Sequence, residues 1–241
     1  MSPQTVKIKT LKIDGIDLSA RGGETILKVA QENGIWIPTL CNLDGLSPVG
    51  ACRLCIVEIA GSPKVHPACV TEIYEGMEVI TQSERLNRYR RMIIELLYSE
   101  RAHICAVCVS NGHCELQSLA KVLGVTSIRF PHLIENHRVD ASHDRFLKDD
   151  NRCVLCGRCV RVCHEIEGAH TWDFMGRGIT SMMITDLNQP WGESESCTRC
   201  GKCVHVCPTG ALIEKGVSVA EMAKRRQFLP YLKMMREGEN K

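Results

Sequence analysis

Residues 6–13 (VKIKTLKI) alternate apolar and polar side chains, Asp14-Gly15 supplies a tight turn, and Ile16–Leu18 begin a return strand. The chain is therefore expected to open on a β-hairpin. The period then changes. Ile26, Leu27 and Ala30 share one face of a helix expected over 25–33 and stopped by Gly34, and strands resume at 56–59 and 78–81. A hairpin, a crossing helix and further strands make an α+β module of about 80 residues, small enough to gain from a metal staple. Over 83–99, Leu86, Tyr89, Ile93, Leu96 and Leu97 recur at helical spacing behind a Ser83 N-cap. A second helix is expected over 115–123, ended by Gly124. The tail from Ser218 sets Met222, Phe228, Leu229 and Met234 among Lys224, Arg225, Arg226 and Lys233, and reads as a helix interrupted by Pro230.

Composition changes this picture in one respect. The hydrophobic share, 44%, is ordinary, but only 5% of residues are aromatic, so large side chains for building cores are few. Fifteen cysteines in 241 residues offer another source of stability, because clusters bound by thiolates contribute their binding free energy to folding. The first residues hold no apolar stretch of signal-peptide length. A reducing cytoplasm is expected, where closely spaced cysteines bind metal or do redox chemistry rather than form disulfides. The longest apolar run, Met92–Tyr98, is broken by Glu95, so no membrane span is expected. A net charge of +2 is too near neutral for a nucleic-acid binder. Bound clusters carrying about −7 in total would take the chain to roughly −5.

The cysteine spacing carries the chemistry. Cys153-x2-Cys156-x2-Cys159-x3-Cys163 recurs 44 residues later as Cys197-x2-Cys200-x2-Cys203-x3-Cys207-Pro208, the bacterial ferredoxin run in which the fourth Cys ligates the other cluster. Crossed ligation then assigns Cys153, Cys156, Cys159 and Cys207 to one [4Fe-4S] cluster and Cys163, Cys197, Cys200 and Cys203 to another. Earlier in the chain, Cys41-x10-Cys52-x2-Cys55-x13-Cys69 suits a [2Fe-2S] rhomb, with Gly45, Gly50 and Ala51 letting backbone N–H groups approach the sulfides. Structural zinc is the alternative at each of these sites. Between them lies Cys105-x2-Cys108-x5-Cys114, three thiolates that exhaust the fifteen, so a fourth ligand must be another residue type. His103 and His113 are near. Zinc with one His, or a reactive dithiol, is the competing reading.

In this order, and with RAHICAVCVSNGHCELQ over 101–117, RCVLCGRCVRVC and SCTRCGKCVHVCPTGAL, the motifs resemble the N-terminal region of the large iron–sulfur subunit of respiratory NADH dehydrogenase and the matching region of iron-only hydrogenases. The set resembles most the small diaphorase iron–sulfur subunit, of HoxU type, of bidirectional NAD(P)-linked nickel–iron hydrogenases. The resemblance implies an α+β modular fold: a β-grasp [2Fe-2S] domain over 1–82, a His/Cys3 [4Fe-4S] domain over 83–139 and a two-[4Fe-4S] ferredoxin domain over 140–217. Residues 218–241 are then either a docking helix or a loosely packed terminal helix.

It further implies an electron-transfer subunit with one [2Fe-2S] and three [4Fe-4S] clusters and no catalytic site of its own, within a multi-subunit NAD(P)-linked hydrogenase. Its partners would be a flavin-bearing NAD(P)H diaphorase subunit and the small and large [NiFe] hydrogenase subunits, with ferredoxin as a further one. Input to a complex I-like or formate dehydrogenase complex is the neighbouring alternative, and a zinc-stabilised scaffold the alternative of another class. No G-x-G-x-x-G follows a strand, no P-loop is present, and no cysteine remains for nickel. The complex I relatives place a ligand His four residues before the first Cys, where this chain has Arg101; Arg keeps its proton and offers no lone pair. His103 is therefore expected to be the fourth ligand in preference to His113, whose neighbour Cys114 would point the other way in extended backbone. His66, His132, His137, His143 and His170 are expected to be surface or loop residues.

Overall fold

The computed structural model describes residues 7–133 and 137–238. Val6, with which the first strand was expected to begin, and the side chain of Lys233 lie outside the described residues. The chain divides into two compact units, residues 1–39 with 48–93 and residues 40–47 with 94–241.

In the first unit the alternating stretch becomes β1 (Ile8–Ile13) and returns as β2 (Ile16–Arg21), in register from Ile13 opposite Ile16 to Ile8 opposite Arg21. The turn needs left-handed backbone, which Asp14 (φ 50°) and Gly15 (φ 81°) supply. Helix α1 (Ile26–Glu32) starts where the Thr25 hydroxyl accepts from the Lys28 amide, and it buries Ile26, Leu27, Val29 and Ala30. Burying each such Ile or Leu is worth about 1.5–3 kcal/mol. β3 (Ile56–Ile59), β4 (Val65–Pro67) and β5 (Met77–Ile80) complete a sheet of order β2-β1-β5-β3-β4. β1 and β5 run parallel while every other pair is antiparallel. That is the expected β-grasp arrangement.

Helix α2 (Glu84–Glu100) follows, with the Ser83 hydroxyl accepting from the Leu86 amide. Its buried ridge differs from the expected one. Leu86, Arg90 and Ile94 are fully buried, whereas Leu96 is exposed and Tyr89, Ile93 and Leu97 are only half-buried. The cause is Arg90, whose guanidinium donates to the carbonyls of Leu54 (3.2 Å) and Ile56 (2.7 Å). Hydrogen bonds to main chain let a charged side chain hold a position that hydrophobic spacing reserves for apolar ones.

The second unit contains α3 (Glu115–Val122), the antiparallel sheet β10-β7-β6 (Leu212–Glu214, Phe146–Asp149, Val139–Asp140) and the hairpin β8 (Trp172–Met175) with β9 (Met182–Thr185). The 44-residue repeat reappears as backbone. Leu155 (φ 50°) and Arg199 (φ 57°) occupy the left-handed region at equivalent positions, and so do Gly157 (φ 68°) and Gly201 (φ 73°). A Cβ on Gly157 would come to 3.1 Å of the exposed Phe174 ring, and one on Gly201 to 3.0 Å of the fully buried Phe146 ring, so both positions favour glycine for conformation and the second for space as well. Each copy then enters a short helix, α4 (Arg158–Arg161) and α5 (Lys202–Val206). The first continues as a π-turn over Val162–Glu167 that carries Cys163, while the second stops at Cys207 before Pro208.

Between the copies Trp191 is fully buried against Phe146 (5.4 Å, stacked), Trp172 (4.9 Å) and His143 (4.9 Å). His143 stands in a loop as expected but is not at the surface: it is 2% exposed, and its Nδ1 accepts from the Arg145 and Phe146 amides. His66 lies half-buried in β4 rather than in a loop.

In the tail, helix α6 (Phe228–Gly238) begins at Phe228, so Pro230 sits in its first turn and does not interrupt it. A proline is tolerated there because the first-turn N–H groups have no intrahelical acceptor. Met222 and Leu229 are buried in the core of this unit. A Cβ on Gly45 would lie 2.8 Å from the Leu229 Cβ, so the small residue at 45 makes room for the tail.

Candidate metal centres

Three cavities in the second unit are each lined by one of the expected quartets. The first holds Cys153, Cys156, Cys159 and Cys207, with Trp172, Met183 and Thr209. Cys153 follows a 3-10 turn (Asp150–Arg152) whose start is capped by the Asp149 carboxylate, and its sulfur accepts from the Leu155 amide at 3.4 Å. Left-handed Leu155 and Gly157 then fold the loop so that Cys156 and Cys159 face the same space. Cys207 arrives from the far copy at the C-terminus of α5.

The second cavity is lined by Cys163, Cys197, Cys200 and Cys203, with Phe146, Trp172 and Trp191. Trp191 Nε1 donates to the Cys197 sulfur at 3.4 Å. Trp172 lines both cavities.

The third cavity collects Cys105, Cys108, Cys114 and His103 with Tyr98, Arg152, Thr209 and Gly210. His113 is not among its lining. His103 Nε2 is buried and has no hydrogen-bond partner, while the ring packs edge-on to Tyr98 at 5.3 Å. An orphaned nitrogen in a cavity of thiols is the expected state of a lone pair meant for a metal. Burial, reinforced by Arg101 and Arg152, pushes the His103 pKa down to about 4, so the ring is neutral at ordinary pH. Arg101 is buried and donates to the carbonyls of Asp150 (2.8 Å) and Ser181 (3.0 Å), a structural tie in place of a ligand.

Of the remaining quartet, Cys52, Cys55 and Cys69 belong to the first unit, the latter two buried in its core. Cys41 is buried in the 40–47 segment of the second unit. There the Arg161 guanidinium donates to the carbonyls of Cys41 and Ser47 (2.6 Å each), Arg158 donates to that of Asn42 (2.8 Å), and Glu165 accepts from the Ser47 amide (2.8 Å).

Burial pushes the Cys114 and Cys156 thiols up to about 11 and Cys153 up to about 12, and it raises Cys159 and Cys203 as well. Without metal these groups hold their protons; loading iron must displace them. Among the described residues no three His, Cys, Asp or Glu side chains close on a point where a single ion would sit. The three cavity-lining sets each surround a space.

Sequence reasoning missed the cations. Arg158 and Arg161 stand inside the first Cys copy where the second has Lys202 and His205, and that departure from the repeat was the available signal. Glycine 210 was also missed: a Cβ there would lie 2.6 Å from the Cys108 sulfur. Gly210→Ala is accordingly expected to cost the Cys105–Cys108–Cys114 site its cluster, with about four iron atoms lost per chain, although no ligand is changed. Iron analysis with EPR of the reduced protein measures this, and full iron content in the variant would show that the Cys108 thiol can move aside.

Three family descriptions match the chain in the same order: a 2Fe-2S iron-sulfur cluster binding domain over residues 8–84, the NADH-ubiquinone oxidoreductase-G iron-sulfur binding region over 90–129, and the ferredoxin-like domain of NADH-quinone oxidoreductase subunit 3 over 145–213. The chain is 40% identical over 206 residues to the NADPH-Fe(3+) oxidoreductase subunit alpha of Geobacter sulfurreducens, covering 86% of this chain but only 24% of that longer protein. It is 30% identical over 219 residues to the NAD-reducing hydrogenase HoxS subunit gamma of Cupriavidus necator, covering 90% of this chain and 92% of the relative. The crystal structure of an NAD+-reducing [NiFe]-hydrogenase in the H2-reduced state contains a chain that superposes with a TM-score of 0.83 at 33% identity, over 91% of this chain and 93% of that one. The order of the three domains, the cavities lined by the quartets and a match running nearly end to end place the chain in the family of iron–sulfur subunits to which the NAD-reducing hydrogenase HoxS subunit gamma belongs.

Proposed function

We propose that the chain relays single electrons through four clusters between a flavin-bearing NAD(P)H diaphorase subunit and a [NiFe] hydrogenase module, in the cytoplasm, with ferredoxin as a further partner. The [2Fe-2S] cluster is assigned to Cys41, Cys52, Cys55 and Cys69. The three [4Fe-4S] clusters are assigned to His103 with Cys105, Cys108 and Cys114; to Cys153, Cys156, Cys159 and Cys207; and to Cys163, Cys197, Cys200 and Cys203. The observation that carries this reading is that three separate cavities are each lined by one whole quartet. Domain limits of 1–82, 83–139 and 140–217 go with it. Among the described residues no helix is long and apolar enough to cross a membrane, so attachment to one would be through partners.

Bound clusters supply one-electron redox chemistry. The chain's own residues bury most of the cysteines, Cys200 being exposed, donate hydrogen bonds to sulfurs from the Leu155 amide and Trp191 Nε1, and line the cavities with Trp172, Phe146 and Trp191. These are the means by which a protein sets a potential.

Because the chain holds no flavin or nucleotide motif, the isolated holoprotein is expected to accept electrons from a strong reductant but not to oxidise NADH until a flavin-bearing partner is added. Anaerobic NADH oxidation assays with and without that partner test it. Robust oxidation by flavin-free chain would overturn the relay reading, and a colourless, iron-free protein retaining stoichiometric zinc would replace it with a scaffold.

A further inference from the structure

The segment between β10 and α6 contributes two cations to a buried group around Cys207. Lys224 Nζ donates to the carbonyls of Val204 (3.0 Å) and Leu212 (3.3 Å). Arg226 donates to the carbonyls of His205 (2.8 Å) and Cys207 (3.3 Å) and pairs with the Glu115 carboxylate. Glu115 is already held by a two-pronged pair with Arg158, at 2.8 Å on both oxygens, and its own amide donates to the Pro208 carbonyl at 2.8 Å. Burial would raise the Glu115 carboxyl, but the two guanidinium groups outweigh it and hold the pKa below the usual value.

Arg158 and Arg226 share the Glu115 carboxylate and Lys224 stands beside them without one, so these three cations and one anion leave an excess of +2. Among the described residues no carboxylate lies within ion-pair distance of Lys224, whose bonded partners are two carbonyls and the Met222 sulfur. Taking an ammonium out of water costs several kcal/mol unless an anion compensates it. Burial lowers the Lys224 pKa accordingly, and the charge of Cys207 is the largest influence opposing that. The missing anion has an obvious place. An oxidised cluster on four thiolates carries about −2, and the cavity of Cys153, Cys156, Cys159 and Cys207 adjoins the Val204–Cys207 helix end to which both Lys224 and Arg226 are tied.

We propose that Lys224 is a fixed counter-charge for the cluster held by Cys207, and that the 218–228 segment is a strap that sets this cluster's potential. The inference rests on the cluster assignment above. A fixed positive charge stabilises the reduced cluster more than the oxidised one, because reduction adds one negative charge at the same place. Lys224 therefore raises the potential and makes the site a better acceptor. Solvent screens this interaction weakly, since the amine is turned into the protein and not toward water. As a positioning residue it touches no reacting atom, so the potential is the quantity to read.

The test is an anaerobic EPR-monitored redox titration of the full holoprotein and of Lys224→Met and Lys224→Arg, with iron and sulfide analysis of each. Lys224→Met is expected to keep its iron while the reduced-to-oxidised ratio of one [4Fe-4S] cluster, at a fixed poise, falls on the order of tenfold, which is about 59 mV for a one-electron couple. Lys224→Arg should stay near wild type. Unmoved potentials in Lys224→Met at full iron content would overturn the proposal, as would an equal fall in Lys224→Arg, which would point to packing and not charge. Should Lys224→Met lose iron, Lys224→Gln takes its place in the titration. Loss of iron in the Arg, Gln and Met variants alike would make the residue structural and also overturn the proposal. Failure of the underlying assignment looks different: Cys207→Ser would then retain every [4Fe-4S] signal of the wild type or lose the one that Cys197→Ser loses.

Discussion

Cys207→Ser is expected to remove the [4Fe-4S] cluster of Cys153, Cys156 and Cys159 and to leave the cluster of its own sequence neighbours, Cys197, Cys200 and Cys203, in place. Cys163→Ser is expected to do the reverse. The reason is the crossing between the two copies: Cys207 ends α5, which carries Cys203, yet it lines the cavity of the first copy, while Cys163 in the π-turn after α4 lines the cavity of the second. Each change should lower iron by about four atoms per chain and delete one EPR component. Cys153→Ser and Cys197→Ser identify the components. The assignment requires Cys207→Ser to match Cys153→Ser; a spectrum matching Cys197→Ser would mean that each copy binds its own cluster.

The crossing was legible in the sequence because thiol chemistry constrains spacing tightly: three thiolates on one short loop can reach three corners of a cluster, and the fourth must come from elsewhere. The opening hairpin and α1 were legible for a related reason, since alternation, the Asp14-Gly15 turn and the Thr25 cap are all local. Elements whose stability is not local were harder. The strands β6 to β10 are two to four residues long, and β10 takes its partner β7 from more than sixty residues upstream, so no run of residues announces them. The buried face of α2 was misjudged because a fully buried arginine breaks the apolar period, and nothing nearby in sequence predicts that the Leu54 and Ile56 carbonyls will accept from it. The tail shows the same limit. Its Lys224, Arg225 and Arg226 stand in a tail expected to dock on a partner or to pack loosely, but only Arg225 is exposed; its two neighbours turn inward to carbonyls some twenty residues upstream. Buried charges are held here by tertiary hydrogen bonds, which a sequence does not display.

His103→Ala is expected to degrade or remove the third [4Fe-4S] cluster and no other, whereas His113→Ala should leave it intact. Two observations separate these histidines. His103 lines the cavity with Cys105, Cys108 and Cys114 and presents a buried nitrogen with no hydrogen-bond partner, while His113 is absent from the lining and follows Ser110 in an ordinary turn. The turn that delivers His103 forms just after α2 ends, where the His103 amide donates to the Arg101 carbonyl at 3.0 Å, and the buried Arg101 side chain pins that corner to Asp150 and Ser181. A neutral imidazole in place of a thiolate leaves the cluster one unit less negative, so it accepts an electron more readily. His103→Cys should therefore retain a [4Fe-4S] spectrum but shift its midpoint to lower potential, because a fourth thiolate restores the charge that the imidazole spares. The matching measurements are iron content, EPR of the reduced protein and the midpoint from a redox titration. A His103→Ala protein with the wild-type spectrum and potential, beside a His113→Ala protein that has lost the signal, would move the ligand from 103 to 113 and with it the account of how the corner after α2 is built.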